Sequence, residues 1–230
     1  SKWFATVVVE SPDSTVAEQL QQLAIVDSVK WIWKGNLRVP AEEKREDRFV
    51  SEDEPLHNEY GYSYKQIKML NGTKLHEAGF RGEGMRVAVI DAGFMNADRV
   101  SAFDSLRLLG THNVVFPGKS VFVGDDHGTK VLSCLAADIP GVMVGTAPKA
   151  SYLLLKSEDS DSEYPVEEDY WTAAVEYADS AGVDVISSSL GYFAFDTDEL
   201  SYDQDALDGR TAMILSLIHI SEPTRLRCIS

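Results

Sequence analysis

Two residues of this chain have the types and settings for acid–base chemistry. Asp91 closes a short apolar run, Val87-Ala88-Val89-Ile90, and Ala92-Gly93 follow it. His127 stands behind Asp125 and Asp126 and ahead of Gly128-Thr129. A histidine supplies a base that titrates near neutrality. A buried carboxylate behind it fixes the ring tautomer and stabilises the imidazolium. Each residue has a plainer reading alone: Asp91 as a cap for the next element, His-Gly-Thr as a helix start. Both together, one at a strand end and one at a helix start, are far more specific.

The elements that must position them follow from the hydrophobic pattern. Val87–Ile90 reads as a fully buried strand. Chemistry in an open α/β sheet sits outside the carboxyl ends of the strands, which is where Asp91 falls. The small Ala92 and Gly93 leave space above the carboxylate. Residues His127 to Ala137 read as a helix burying Val131, Leu132, Leu135 and Ala136, with Cys134 packed inside as a small hydrophobe. Gly128 permits a close backbone approach. Tyr64–Met69 and Gly72–Ala78 read as short helices with Ile67, Leu70 and Leu75 inward. His112–Phe116, Tyr152–Leu155 and Val183–Ser187 read as further strands. Glu167–Ala181 is an amphipathic helix with Trp171, Ala174, Val175 and Ala178 on its core face. Its first-turn acids, Glu167, Glu168 and Asp169, suit the helix macrodipole. This alternation implies an α/β fold with a mostly parallel sheet and helices on both faces.

Residues 1–40 read as a small β-α-β unit: Phe4–Val9, a helix with Val16, Leu20, Leu23 and Ala24 at helical spacing, then Ser28–Trp33. Residues 41–57 are dense in charge of both signs and read as an exposed linker. The acidic stretch Glu158 to Asp169 reads as solvated surface that would favour basic substrate residues if it lay by the cleft.

Composition narrows the function classes. The chain has 230 residues and a formal net charge of -16, so phosphate backbones would be repelled and nucleic acid is excluded as a partner. No stretch approaches the roughly 20 apolar residues of a membrane span. Two cysteines signal no disulfide framework.

With these motifs assembled, the chain resembles the subtilisin-like serine peptidases, the subtilase family. The resemblance rests on Val87-Ala88-Val89-Ile90-Asp91-Ala92-Gly93, Asp126-His127-Gly128-Thr129, Gly145-Thr146-Ala147-Pro148-Lys149-Ala150 and Val185-Ile186-Ser187-Ser188-Ser189-Leu190-Gly191. It implies peptide-bond hydrolysis by an Asp-His-Ser triad, with Asp91 as the acid and His127 as the general base. Ser189, Leu190 and Gly191 would pair with substrate backbone and wall the specificity pocket, with Tyr192 reshaping its entrance. Residues 58–214 would be the N-terminal portion of the catalytic domain. Residues 1–40 would be part of a propeptide that chaperones and inhibits the enzyme, and 41–57 the processing region. Such a start favours an exported parent, although the chain opens at Ser1 without a signal peptide.

The resemblance also implies what is missing. The family's nucleophile lies in a Gly-Thr-Ser-type motif and its oxyanion Asn in a later Gly-Asn motif, and neither occurs here. Residues 215–230, beginning Leu215-Ser216-Leu217-Ile218-His219-Ile220-Ser221-Glu222-Pro223-Thr224-Arg225, look like translated transposon-end sequencing adapter and are set aside as a non-native tail. The chain is therefore expected to be an inactive fragment of an endopeptidase. A non-catalytic peptide-binding module is the alternative. A flavodoxin-like domain would need a phosphate-binding turn after the first strand, which Ala92-Gly93-Phe94-Met95 is not. No cofactor is expected. Calcium is the one metal the family often binds, but Asp196, Asp198, Glu199, Asp203, Asp205 and Asp208 lack a calcium-loop pattern.

Overall fold

A computed structural model of the chain describes residues 3–32, 58–221 and 227–229, with the backbone alone for 218–221 and 227–229. The charged run at 41–57 and Trp33 lie outside the described residues.

The centre is strand β1, Arg86–Asp91, buried from Val87 onward. It has parallel neighbours on both sides. On one side lies β5, Ser151–Lys156, in the register Ile90↔Leu155 and Asp91↔Lys156. On the other lies β6, Val185–Ser188. The outer positions go to β2, Arg107–Asn113, and β7, Arg227–Ile229. The five-stranded sheet thus runs β2-β5-β1-β6-β7, parallel at every pairing. Two short strands, β3 (Asp138–Ile139) and β4 (Met143–Val144), form a separate antiparallel pair.

Side chains of a strand alternate between faces, and β1 feeds two cores in this way. Val87 and Val89 pack with Leu132 and Ala136 of α4, His127–Ala136, and with Phe94, Tyr152 and Leu154. Ala88 and Ile90 pack with Trp171, Ala174, Val175 and Ala178 of α5, Val166–Ser180, and with Leu153, Leu155 and Ile186. Each fully buried Ile or Leu contributes about 1.5–3 kcal/mol by leaving water. Both faces being covered explains why β1 and β5 read as continuous apolar runs.

Several expectations are corrected. The second strand lies at 107–113 rather than 112–116. It is an edge strand with Leu108 and Leu109 largely exposed, so no buried run marks it. In α2 (Tyr64–Met69) Ile67 is buried as expected. Leu70 and Leu75, the latter in α3 (Gly72–Glu77), are exposed instead, because the small cluster here is Ile67 with Tyr60 and Val144. Cys134 is an exposed free thiol, pointing away from the face that carries Leu132 and Ala136. Among the described residues, 3–32 hold one helix, α1 (Val16–Gln21), and no strand. Within the expected Phe4–Val9 strand, Val7, Val8 and Val9 are exposed.

Residues beyond 214, set aside in the sequence as a non-native tail, contact the rest of the described fold. Helix α6, Met213–Ser221, packs Leu217 into the core on the α5 face, and β7 pairs with β6. An uncovered sheet edge and apolar face offer a place to any apolar segment that follows.

Candidate active site

The carboxyl edge of β1 builds the site. Asp91 is 0% exposed, at the last position of the strand. Its Oδ1 accepts the Ala92 N–H at 2.8 Å. The same oxygen lies 2.8 Å from His127 Nδ1. His127 begins α4, and its backbone N–H is held by Asp125 Oδ1 at 2.7 Å. Its side chain is 51% exposed, so one face of the ring meets the buried acid and the rest meets solvent. This arrangement orients an imidazole with Nδ1 occupied and Nε2 free to take a proton.

The turn after β1 and the start of α4 are fastened to each other. Phe94 N–H donates to Val121 O at 2.8 Å, and Met95 N–H to Asp125 O at 2.9 Å. Thr129 Oγ1 donates to Met95 O at 2.9 Å. Gly128 permits the approach: a Cβ there would lie 2.4 Å from Gly93 O and 2.9 Å from Asp91 Cβ. On the β5 side, Ser157 N–H donates to Asp91 O at 3.1 Å, and Lys156 Nζ donates to the Ala92 carbonyl.

Burial pushes the Asp91 carboxyl up, and the hydrogen bonds from His127 and the Ala92 amide pull it part of the way back. His127 is raised, first by its bond to Asp91 and further by the charges of Asp91, Asp125 and Glu158, against desolvation. A histidine raised in the folded state contributes stability that is fully present below about pH 6.5 and lost as pH rises through the folded value. Nuclear magnetic resonance titration should therefore find the His127 ring titrating above about 6.5. In the Asp91→Asn variant the midpoint should move down towards that value. Equal midpoints in the two proteins would sink the coupling.

The Ser189-Leu190-Gly191 segment follows β6 directly, with Ser189 and Gly191 exposed and Leu190 half-buried. Ser188 is tied to α5 by the Trp171 Nε1–H, which donates to its Oγ at 2.9 Å. The acidic stretch 158–169 is not the solvated surface expected. Asp159, Glu167 and Glu168 are buried, at 5%, 2% and 1% exposure. Asp159 N–H donates to Glu167 Oε1 at 3.0 Å, and Ile214 N–H to Glu168 Oε2 at 3.1 Å. Burial pushes Glu167 up to about 9, aided by the neighbouring charge of Glu158. Lys156, buried at the end of a strand otherwise apolar, escaped the sequence reading, and Glu158, read there only as part of an acidic stretch, acts on His127 through its charge. Only the strand register places them there.

Among the described residues, no three His, Cys, Asp or Glu side chains gather as a metal site. Asp203 instead caps a turn by accepting the Ala206 N–H at 3.0 Å, and Asp208 accepts the Arg210 and Thr211 N–H groups at 2.7 Å each. No helix among the described residues is long and apolar enough to cross a membrane.

The chain is similar to the major intracellular serine protease of Bacillus subtilis (strain 168), with 31% identity over 133 residues, 54% of this chain and 40% of that protein. It is also similar to subtilisin E of the same organism, with 32% identity over 147 residues, 62% of this chain and 36% of that protein. The chain thus spans two fifths or less of these relatives' lengths. Among solved structures, the prenylagaramide maturation protease PagA aligns with a TM-score of 0.46 and 19% identity, covering 68% of this chain and 48% of that one. No protein-family profile matches the chain.

Proposed function

We propose that this chain is the N-terminal part of a subtilisin-like serine endopeptidase that hydrolyses polypeptides through an Asp-His-Ser triad. The observation that carries the reading is the 2.8 Å contact between His127 Nδ1 and the fully buried Asp91, at the carboxyl edge of a parallel strand. Asp91 holds the ring tautomer, and His127 Nε2 takes the proton of a serine hydroxyl and returns it to the leaving amine. Residues 189–191 line the path of the substrate backbone. The reaction needs no cofactor.

Residues 1–40 act as a propeptide-like intramolecular partner. In support, Trp3 N–H donates to Glu176 Oε1 at 3.1 Å and Val166 N–H to Ile32 O at 3.1 Å, so both ends of the described segment touch α5. Residues 41–57 serve as the processing region, and the parent is exported. Residues 215–230 are translated adapter rather than gene product.

The second reading is a peptide-binding module without catalysis. The parent gene separates the two. On the first reading, sequence past Ile214 departs from Leu215–Ser230 and later encodes a Gly-Thr-Ser-type motif. A gene that continues without one refutes the peptidase reading. For the 230-residue chain itself, a fluorophosphonate probe should leave no label. Stoichiometric labelling would show that a serine here is already activated.

A further inference from the structure

We propose that Glu158 forms an acidic subsite beside the Asp91–His127 pair that takes a lysine or arginine side chain of the polypeptide substrate. The inference rests on the peptidase reading and names the substrate class that this site would favour.

Strand register places Glu158. Asp91 pairs with Lys156 across β1 and β5, so Ser157 and Glu158 emerge at the same edge as the acid. The Ser157 N–H bond to Asp91 O, 3.1 Å, ties the start of this loop to the strand that carries Asp91. Glu158 is half-buried, and its charge acts on both His127 and Asp91.

A second feature converges on the same place from the other flank of β1. The continuation of β6 reaches Tyr192, 7% exposed, whose hydroxyl makes no hydrogen bond of good geometry. Glu158, Glu167 and Ser157 are the polar groups that act on that hydroxyl. The Ser157 hydroxyl, on a residue 0% exposed, is also without a partner. Two buried hydroxyls and one carboxylate thus meet between the strands that flank the acid.

The electrostatics decide the sign of the guest. Burial, then the charges of Glu163 and Asp91, push Glu158 up to about 7, and the Tyr192 hydroxyl and then Lys156 offset this only in part. Lys156 is committed to the Ala92 carbonyl and also faces Asp125, Asp159 and Asp91. Glu167 stands behind with its own raised carboxyl. A cationic side chain relieves this repulsion and donates charge-assisted hydrogen bonds to Glu158. An apolar side chain would desolvate the half-buried Glu158 carboxylate without supplying a compensating hydrogen bond. An acidic one would add to the repulsion.

The test uses the complete parent enzyme and a peptide library in which each position in turn carries lysine, norleucine or acetyl-lysine. At pH 8 one subsite should favour lysine over both neutral residues by about tenfold or more in kcat/KM, and Glu158→Gln should cut that ratio by about tenfold. If Glu158→Gln fails to fold, the unmodified enzyme still decides. Its lysine preference should shrink as pH falls through about 7, where Glu158 takes up a proton. Cleavage with no lysine preference at any position overturns the inference alone. So does an equal ratio in Glu158→Gln, or a preference that stays flat between about pH 6 and 8.5, a span bracketing the Glu158 titration. No cleavage of any peptide overturns the peptidase reading and the subsite with it.

Discussion

Asp91→Asn in the complete parent enzyme should lower kcat by about 10⁴-fold, the drop that removal of the acid produces in other triad enzymes. The geometry gives the reason. Asp91 Oδ1 accepts two bonds, from the Ala92 N–H and from the His127 ring, each at 2.8 Å. An Asn oxygen facing Ala92 can keep the first bond, but the side chain then carries no charge to stabilise the imidazolium. An Asn turned the other way presents N–H to His127 Nδ1 and selects the tautomer with Nε2 protonated, which cannot accept the serine proton. The fold should survive, because the substitution is isosteric and burial already disfavours the charged form of Asp91. Activity should also rise with pH through the raised His127 value, since the base must be neutral to act. A loss of less than about tenfold in kcat would remove Asp91 from the triad.

Gly128→Ala should be the most damaging single-methyl change near the site. The added Cβ would lie 2.4 Å from Gly93 O, 2.9 Å from Asp91 Cβ and 2.9 Å from Phe94 Cε1. The first two are backbone or backbone-anchored atoms that cannot swing aside, so α4 must move away from β1. Overpacking of this kind costs about 3 kcal/mol at its upper range. In a domain of this size that lowers Tm by roughly 6–12 °C. The same shift pulls His127 from Asp91, so the ring should titrate nearer an ordinary histidine. Gly110→Ala is the control: its Cβ would meet Leu153 Cδ1 at 3.7 Å, an ordinary contact, and its backbone is not in the left-handed region. Thermal unfolding of the two variants checks both. Equal Tm values would show that the close approach at Gly128 is not a constraint.

The sequence by itself determined the parts that a short window can encode. Strand β1 is a run of four apolar residues closed by Asp91, and both faces of such a strand are buried, so no alternation is needed to see it. Helix α5 buries Trp171, Ala174, Val175 and Ala178, the residues its 3.6-residue period presents to one side. The close approach at Gly128 and the contact of Asp91 with His127 were legible for the same reason, since residue type and local setting together point to them.

What only the tertiary structure decided depends on neighbours distant in sequence. Strand β2 carries no buried run, and among the described residues it has a partner strand, β5, on one flank only. Cys134 and Leu75 lie on apolar-looking helices, yet face out because the packing partner covers only part of each circumference. The Phe4–Val9 segment has strand propensity, yet residues 3–32 form no strand. The acids of the 158–169 stretch differ most from expectation. Charge alone predicts solvent, whereas the register of β5 on β1 and the docking of α5 bury Glu167 and Glu168 and set Glu158 beside His127. A carboxylate's environment is set by the elements packed around it, and no local pattern in the chain records that.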